Sequence, residues 1–192
     1  MVSHEECPNK TDNELVKLSL DNSEHFLCLT RRYESKLLHY IMRISKFRKE
    51  DAGDILQDVF VKIYYNLNEF DDSLKFSSWV YRIAHNQTIS EIRKKSSRPS
   101  IPFEKEDIDR FEDAFDITKE IDNSFDRGEI NEVLSRLDEK YREVLILRFL
   151  DEKDYVEISD ILKKPVSTVG NLILRGKKLF KEEYEKSIYG GK

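Results

Sequence analysis

Aromatic and basic residues are interleaved between Lys75 and Arg98, a mixture that is typical of nucleic-acid binding. The stretch holds six bases and one acid, whereas the whole chain has a formal net charge of −5. Aromatic rings can stack on bases and cations can neutralise phosphates, so a surface with both can hold a strand. Arg82, Asn86 and Arg93 fall on the side of a predicted helix away from its apolar positions, and we expect them to contact nucleic acid.

Two other residues of this stretch have simpler interpretations. Trp79 recurs at helical spacing among apolar residues, which favours a core position over a base-stacking one. His85 has no second ligand type near it, so it is interpreted as a polar or hydrogen-bonded histidine. The chain contains no motif typical of an enzyme, a phosphate loop or a dinucleotide site, and we predict no catalysis, cofactor or metal.

A second DNA-binding pattern lies near the end of the chain. A short helix at Tyr155–Leu162, a turn ending in Pro165 and a polar helix from about Ser167 to Tyr184 predict a helix-turn-helix. A helical hairpin with a solvated polar face remains the alternative. The inward residues are Ile158, Ile161, Leu162, Val166, Val169 and Ile173. The residues predicted to face the DNA groove are Ser167, Thr168, Asn171, Leu172, Arg175 and Lys178.

A third pattern mixes acidic and apolar residues on one face of the helix predicted at Asp51–Leu67. One face of this helix carries the apolar residues of the core, and the residues of a second face beside it also recur at helical spacing. Carboxylates in line with Val and Tyr favour a docking surface for a basic helical partner, with a simple solvated face as the alternative. We name this set the acidic stripe, and its members are Asp54, Gln57, Asp58, Val61 and Tyr65.

Composition determines which architecture can position these patterns. The 192 residues are 39% hydrophobic and 37% charged, which excludes a membrane protein and a wholly disordered chain. No apolar run approaches the ~18 residues that span a bilayer, and the N-terminus lacks the order of a signal peptide. Six glycines and four prolines argue against an all-β fold. Cys7 and Cys28 are expected to be free thiols in a reducing, cytoplasmic compartment.

The predicted fold is all-α, with two helical lobes joined by an acidic linker. Residues 12–98 form the first lobe, 99–127 the linker, and 128–186 the second lobe. The linker carries ten acids and three bases between residues 99 and 126. Helical patterns are predicted at Asn13–Leu20, Ser23–Phe47, Asp51–Leu67, from an N-cap at Ser77 or Ser78, and at Glu129–Leu137, Glu139–Leu150, Tyr155–Leu162 and Ser167–Tyr184.

Four segments in this order resemble the extracytoplasmic-function (ECF) sigma factors of bacterial RNA polymerase. The acidic-stripe helix, Asp-Ala-Gly-Asp-Ile-Leu-Gln-Asp-Val-Phe, resembles D-A-E-D-L-x-Q-E-x-F, and Phe-Ser-Ser-Trp-Val-Tyr-Arg-Ile-Ala-His-Asn resembles F-x-x-W-L-Y-R-I-A-x-N. Leu-Asp-Glu-Lys-Tyr-Arg-Glu-Val-Leu-Ile-Leu-Arg resembles L-P-x-x-Y-R-x-V-x-x-L-R. The helix-turn-helix resembles E-I-A-x-I-L followed by V-G-T-V. Four residues depart from the family pattern: Gly53, Asp138, Gly170 and Leu172. Gly170 and Leu172 stand where family members often have basic residues, which implies weak −35 binding by the isolated protein.

The resemblance implies a partner and a DNA site for each lobe. The acidic stripe would bind the clamp helices of the polymerase's largest subunit. The second lobe would read the −35 element and contact the flap of the second-largest subunit. The first lobe would open the −10 element of promoter DNA and capture a flipped base. The −10 residues would be Asn66, Phe70, Asp71, Lys75, Phe76, Trp79, Arg82, Asn86, Arg93 and Lys94.

The resemblance further implies a stress or envelope-type response and regulation by an anti-sigma factor. It places the chain in the cytoplasm without membrane insertion. The rival function is a free-standing helix-turn-helix regulator that binds duplex DNA without polymerase. The acidic stripe separates the two hypotheses, because a simple regulator has no use for it.

Overall fold

The computed structural model describes residue 7 and residues 9–96 and 127–189. Within these ranges it contains eight α-helices and no strand, which confirms the all-α prediction. The chain divides into two compact units near residue 98, and each is described separately below. The predicted acidic linker lies outside the described residues, except for its last residue. No described helix combines the length and the apolar character needed to cross a membrane.

The first unit contains four α-helices and two short 3-10 turns. The helices are α1 (Asp12–Asp21), α2 (Phe26–Ser45), α3 (Lys49–Tyr65) and α4 (Phe76–Ser96), with 3-10 turns at Ser23–His25 and Leu67–Glu69. A capping box starts α1. Thr11 Oγ1 accepts a hydrogen bond from the Glu14 backbone N–H, and the Glu14 carboxylate accepts one from the Thr11 backbone N–H. Lys46 ends α2 in the left-handed conformation.

Apolar faces of α2, α3 and α4 form the core of this unit. Each large side chain buried there contributes roughly 1.5–3 kcal/mol to stability. The buried core includes Leu29, Tyr33, Leu37, Tyr40, Ile41 and Ile44 from α2, Ala52, Ile55, Leu56, Val59 and Ile63 from α3, and Phe76, Val80, Tyr81 and Ala84 from α4.

The start of α4 differs from the prediction. The helix begins at Phe76, and the Lys75 carbonyl accepts from the backbone N–H groups of Ser78 and Trp79. Ser78 is buried, so it lies inside the helix and is not its N-cap. The prediction of an N-cap at Ser77 or Ser78 is therefore wrong by a few residues.

The second unit contains α5 (Arg127–Arg136), α6 (Glu139–Leu145), most of α7 (Tyr155–Leu162) and α8 (Val166–Tyr189). A π-helical turn at Ile146–Leu150 extends α6. Asp154 and Glu157 form a capping box at the start of α7, and Lys163 ends it in the left-handed conformation. α8 packs closely on α6: a Cβ added at Gly176 would lie 3.2 Å from Leu145 Cγ, which explains a glycine there.

One acidic side chain is buried in the second unit. Glu143 on α6 is 5% exposed. Burial, with a smaller contribution from the nearby Glu139 carboxylate, raises the pKa of Glu143 to about 7 against the opposing effects of Lys164 and Arg142. A neutral carboxyl is therefore favoured in this core at pH values below 7.

Candidate nucleic-acid and partner interfaces

The acidic stripe lies on one exposed face of α3, as the spacing predicts. Asp54, Gln57 and Asp58 are exposed, and Val61 and Tyr65 are 54% and 76% exposed. The opposite face of the helix is buried in the core, so packing fixes the orientation of the stripe. A carboxylate-rich surface with a ring at one end is suited to a basic, partly apolar partner. Its role remains a prediction.

A polar network joins this stripe to α4. Gln87, which is 7% exposed, donates from Nε2 to Asp58 Oδ2 at 3.1 Å and accepts from Lys62 Nζ. Asp58 therefore helps hold α3 against α4 besides presenting its carboxylate to solvent. This second contribution could not be inferred from the spacing of α3 alone.

An aromatic patch that the sequence analysis missed continues the acidic stripe. Tyr64 is 44% exposed and Leu27 is 55% exposed. The Phe26 ring lies 5.2 Å from the Tyr64 ring and 6.5 Å from the Phe60 ring, both edge to face. The pair Tyr64-Tyr65 was the available signal, because two adjacent aromatic residues cannot both lie on the buried face of one helix.

The segment between α3 and α4 forms an ordered turn. Asn66 donates from Nδ2 to the Lys62 carbonyl at 2.7 Å at the end of α3. Asp71 Oδ1 accepts from the Ser73 backbone N–H at 3.0 Å, and hydrogen bonds from Ser73 lower the pKa of Asp71. Asp71 and Lys75 are both exposed. We name residues 66–75 the α3–α4 loop.

An aromatic cluster connects this loop to α4. The Phe70 ring lies 5.2 Å from Phe76 and 5.5 Å from Trp79, and Phe76 packs on Tyr33. Phe70 and Trp79 are half-buried, so part of each residue remains accessible. Phe76 is only 2% exposed and cannot contact DNA directly. Its prediction as a DNA contact is corrected: Phe76 is a buried ring that packs on Phe70 and Trp79.

The predicted DNA contacts on the polar side of α4 differ in their exposure to solvent. Asn86, Arg93 and Lys94 are exposed, whereas Arg82 is half-buried. Lys94 pairs with Glu91 at 2.6 Å. An exposed ion pair of this kind contributes little, so Lys94 can exchange Glu91 for a phosphate at small cost.

His85 has the environment of a structural histidine. Its Nδ1 lies 3.0 Å from the hydroxyl of buried Tyr40. In the described part of the chain no three His, Cys, Asp or Glu side chains cluster in a way that could hold a metal ion.

The helix-turn-helix is formed by α7, the turn and α8. Ile158, Ile161 and Leu162 are buried as predicted, as are Val169 and Ile173. Ser159 Oγ donates to the Lys164 carbonyl at 2.6 Å, and the Val169 N–H donates to the Pro165 carbonyl. These bonds satisfy backbone groups at both ends of the turn. The predicted outward residues that are exposed are Ser167, Thr168, Asn171, Arg175 and Lys178.

Three positions of α8 differ from the prediction. Leu172 is half-buried and Leu174, which was not predicted, is 70% exposed on the outer face. Both leucines fit the helical spacing of the polar face, and only the packing of α8 on its unit distinguishes them. Val166 is 45% exposed, so its predicted inward packing is wrong. Val166 is the first residue of α8, so no earlier turn of the same helix covers its side chain.

Comparison with known families matches both units. Residues 29–98 match the model for Sigma-70 region 2, and residues 127–180 match that for Sigma-70, region 4. The acidic stripe, the α3–α4 loop and α4 up to Lys95 lie within the first match, and the helix-turn-helix lies within the second.

Two similar structures have the same fold over most of their length. The sigma factor RpoE of Bartonella quintana, in complex with the anti-sigma factor NepR, has a TM-score of 0.68 at 18% identity, covering 83% of this chain and 96% of RpoE. CnrH in complex with the cytosolic domain of CnrY has a TM-score of 0.66 at 21% identity, covering 89% and 95%.

Relatives with higher identity also match more than two thirds of the chain. The chain is 35% identical over 146 residues to the ECF RNA polymerase sigma factor SigW of Bacillus subtilis, covering 69% of this chain and 75% of SigW. It is 30% identical over 179 residues to the ECF RNA polymerase sigma-E factor of Escherichia coli K12, covering 87% and 91%. With both sigma-70 regions present in order, the chain belongs to the ECF family of RNA polymerase sigma factors.

Proposed function

We propose that this protein binds core RNA polymerase in the cytoplasm and directs it to promoters as a non-catalytic specificity subunit. The observation that carries the proposal is the exposed acidic stripe on α3, adjacent to an aromatic patch, in a chain of this family. A regulator that acts without polymerase has no use for this surface. Co-purification of the full chain with core polymerase tests the proposal, and its absence would favour the rival regulator.

The first lobe, residues 12–98, would attach to the clamp helices of the largest polymerase subunit. Asp54 and Gln57 supply acceptors for basic side chains, while Val61 and Tyr65 supply apolar area. Charged groups at the edge of such a surface mainly set orientation and association rate, and rings in its centre contribute most of the affinity. The exposed Tyr64 extends that apolar centre.

The α3–α4 loop and α4 would open the −10 element. Flipping a base out of the stack costs a few kcal/mol, which new contacts must offset. Stacking on an aromatic ring contributes about 1–3 kcal/mol per base, and the half-buried rings of Phe70 and Trp79 are the candidates for it. Asn66, Asp71 and Lys75 lie in the same loop, and Arg82, Asn86, Arg93 and Lys94 follow along α4.

Replacing Arg93 and Lys94 together by alanine is expected to flatten the salt dependence of −10 binding. Each phosphate contact to a single strand contributes roughly 0.7 to the logarithmic slope, so the double variant should lose about 1.4. Titrations of the full chain with −10 single-stranded DNA at several salt concentrations measure the slope. Alanine at Arg31 and Lys36, two exposed bases on α2, is the matched control. Equal slopes for all three proteins would contradict the assignment.

The second lobe, residues 128–186, would read the −35 element in the major groove and contact the flap of the second-largest subunit. Ser167 and Thr168 lie in the first turn of α8, where hydroxyls and backbone N–H groups suit a phosphate. Asn171, Arg175 and Lys178 follow on the exposed face. Because Gly170 and Leu172 supply no charge, we expect weak −35 binding without polymerase. The acidic linker, residues 99–127, would occupy a polymerase channel that otherwise holds nucleic acid.

A Gly170→Arg variant is expected to bind −35 duplex DNA more tightly. A Cβ at this position would meet only Tyr155 Cε1, at 3.8 Å, so a side chain fits. One added phosphate contact should steepen the salt slope by about 0.9. Duplex titrations of the full-length variant measure this change. Gly53→Arg, which places the same residue in open space on the first lobe, is the control. If both variants changed binding equally, general charge would explain the result.

An anti-sigma factor is the proposed regulator. RpoE of Bartonella quintana and CnrH were both solved in complex with a second protein, and for RpoE that protein is an anti-sigma factor. A partner that covers the DNA-binding surfaces would keep this chain inactive until a stress signal releases it.

A further inference from the structure

A disulfide fastens the segment before α1 to α2. Cys7 and Cys28 are bonded, with Cα atoms 5.5 Å apart and a sequence separation of 21. Cys28 is 4% exposed and Cys7 is half-buried. The prediction of two free thiols is therefore wrong. The sequence contains only these two cysteines, and their proximity depends on how the N-terminal segment folds back on α2.

A second set of contacts holds the same segment without using the sulfur atoms. Arg32, one turn after Cys28 on α2, donates from Nη2 to the carbonyls of Cys7 and Lys10 at 2.9 and 2.8 Å. Its Nη1 donates to Asp12 Oδ1 at 2.6 Å. We expect the guanidinium to keep Cys7 beside α2 when the sulfurs are not bonded. Two thiols held close in this way react as if at high concentration.

We propose that Cys7 and Cys28 are a reversible redox modification site that controls how firmly the N-terminal segment is attached. Disulfides in a reducing compartment are usually transient and redox-sensing. The contacts of Arg32 hold Cys7 beside Cys28, which favours reformation of the bond once an oxidant is present, while the half-buried Cys7 leaves the bond open to attack by a reductant.

The oxidant is a low-molecular-weight disulfide, and the reaction is thiol–disulfide exchange. The Cys7 thiolate attacks one sulfur of the oxidant and releases one small thiolate, leaving a mixed disulfide on Cys7. The Cys28 thiolate then attacks Cys7 Sγ and releases the second small thiolate. Two protein thiols are oxidised, one small disulfide is reduced to two thiols, and the two protons pass to those thiols.

The cross-link is connected to the α3–α4 loop through α1. Asn13 donates from Nδ2 to the Asp72 carbonyl at 3.2 Å, and Lys17 pairs with the Asp72 carboxylate at 3.3 Å. Asp12, at the start of α1, also accepts from the hydroxyl of Tyr33, whose ring packs on Phe76. Fastening the segment before α1 should therefore stabilise the loop. The consequence for −10 binding rests on the proposed function of that loop.

The full chain is incubated with oxidised glutathione or with dithiothreitol, and free thiols are counted by alkylation and mass spectrometry. We expect the loss of two thiols without dimers, full reversal by dithiothreitol under native conditions, and a rise in Tm of roughly 10 °C on oxidation. Cys7→Ser should show no shift. Persistent free thiols, intermolecular dimers, a bond that native-state dithiothreitol cannot reduce, or an unchanged Tm would each overturn the proposal.

A second measurement separates the redox site from the function of the loop. Affinity for −10 single-stranded DNA is compared between the oxidised and reduced chain, with an expected gain of about fivefold on oxidation. Phe70→Leu is measured in parallel. If Phe70→Leu weakens binding but redox state does not change it, the link through α1 is wrong. If neither changes binding, the proposed function of the loop fails, while the thiol counts and Tm still decide the redox site.

Discussion

Replacing Asp54 by arginine is expected to weaken binding of core RNA polymerase by about 100-fold or more. The side chain is exposed on the acidic stripe, so the variant should fold normally. Placing a cation where a basic partner docks costs several kcal/mol of binding free energy through like-charge contact. Titration of the full chain with core polymerase measures the affinity, and circular dichroism checks the helical content.

Two further variants make this experiment decisive. Glu34→Arg makes the same change of charge at an exposed position of α2 outside the stripe and should bind normally. Asp58→Arg should also lose binding, and it should lower the unfolding free energy by about 1 kcal/mol because Gln87 loses its acceptor. If Asp54→Arg bound as well as Glu34→Arg, the acidic stripe would not be the polymerase contact.

The stability of the protein is expected to fall as pH rises from about 5 to 7. The pKa of Glu143 is about 7 in the folded chain, against 4.5 for an ordinary glutamate, mainly because the carboxyl is buried. In this range the folded state binds a proton that the unfolded state has released, so raising the pH favours unfolding. At about 1.4 kcal/mol for each pKa unit, the loss is roughly 3 kcal/mol and is complete above pH 7.

Glu143→Gln isolates this effect from other titrating groups. The amide stays neutral, so the variant should lack this decrease and should be more stable than the unmodified chain at pH 8. Denaturant unfolding of the full chain at pH 5, 6, 7 and 8 measures both curves. Glu139→Gln, an exposed neighbour, should retain most of the slope. Parallel curves for Glu143→Gln and the unmodified chain would show that the Glu143 carboxyl does not titrate in this way.

Helix positions could be predicted where apolar spacing is regular and capping residues are unambiguous. α7 matches its prediction at both ends, because Asp154 and Glu157 form a capping box and Pro165 follows the turn. The face of α3 that carries Asp54 could be predicted for the same reason. A helix with one continuous buried side has one possible exposed side.

Other features depend on which segments meet in space. Phe76 and Trp79 are both aromatic residues at the start of α4, yet Phe76 is buried against Tyr33 and Phe70 whereas Trp79 is only half-buried. Leu172 and Leu174 likewise differ only through the packing of α8. Neither difference has a signal in local spacing.

The burial of Glu143 and the bond between Cys7 and Cys28 also depend on which segments meet in space. A glutamate inside an amphipathic helix is ordinarily exposed, and only the tertiary packing of the second unit covers this one. Two cysteines separated by 21 residues can be bonded or free. The contacts of Arg32 with the carbonyls of Cys7 and Lys10 bring this pair together, and such backbone contacts leave no pattern in the sequence.

Run-off transcription with purified core RNA polymerase that lacks any other sigma factor tests the central claim most directly. The template is a library of promoter fragments, and the full chain is the only added specificity subunit. We predict transcripts that start at defined positions and that disappear with Asp54→Arg but persist with Glu34→Arg. Polymerase that remains silent on the whole library with the unmodified chain would contradict the proposed function.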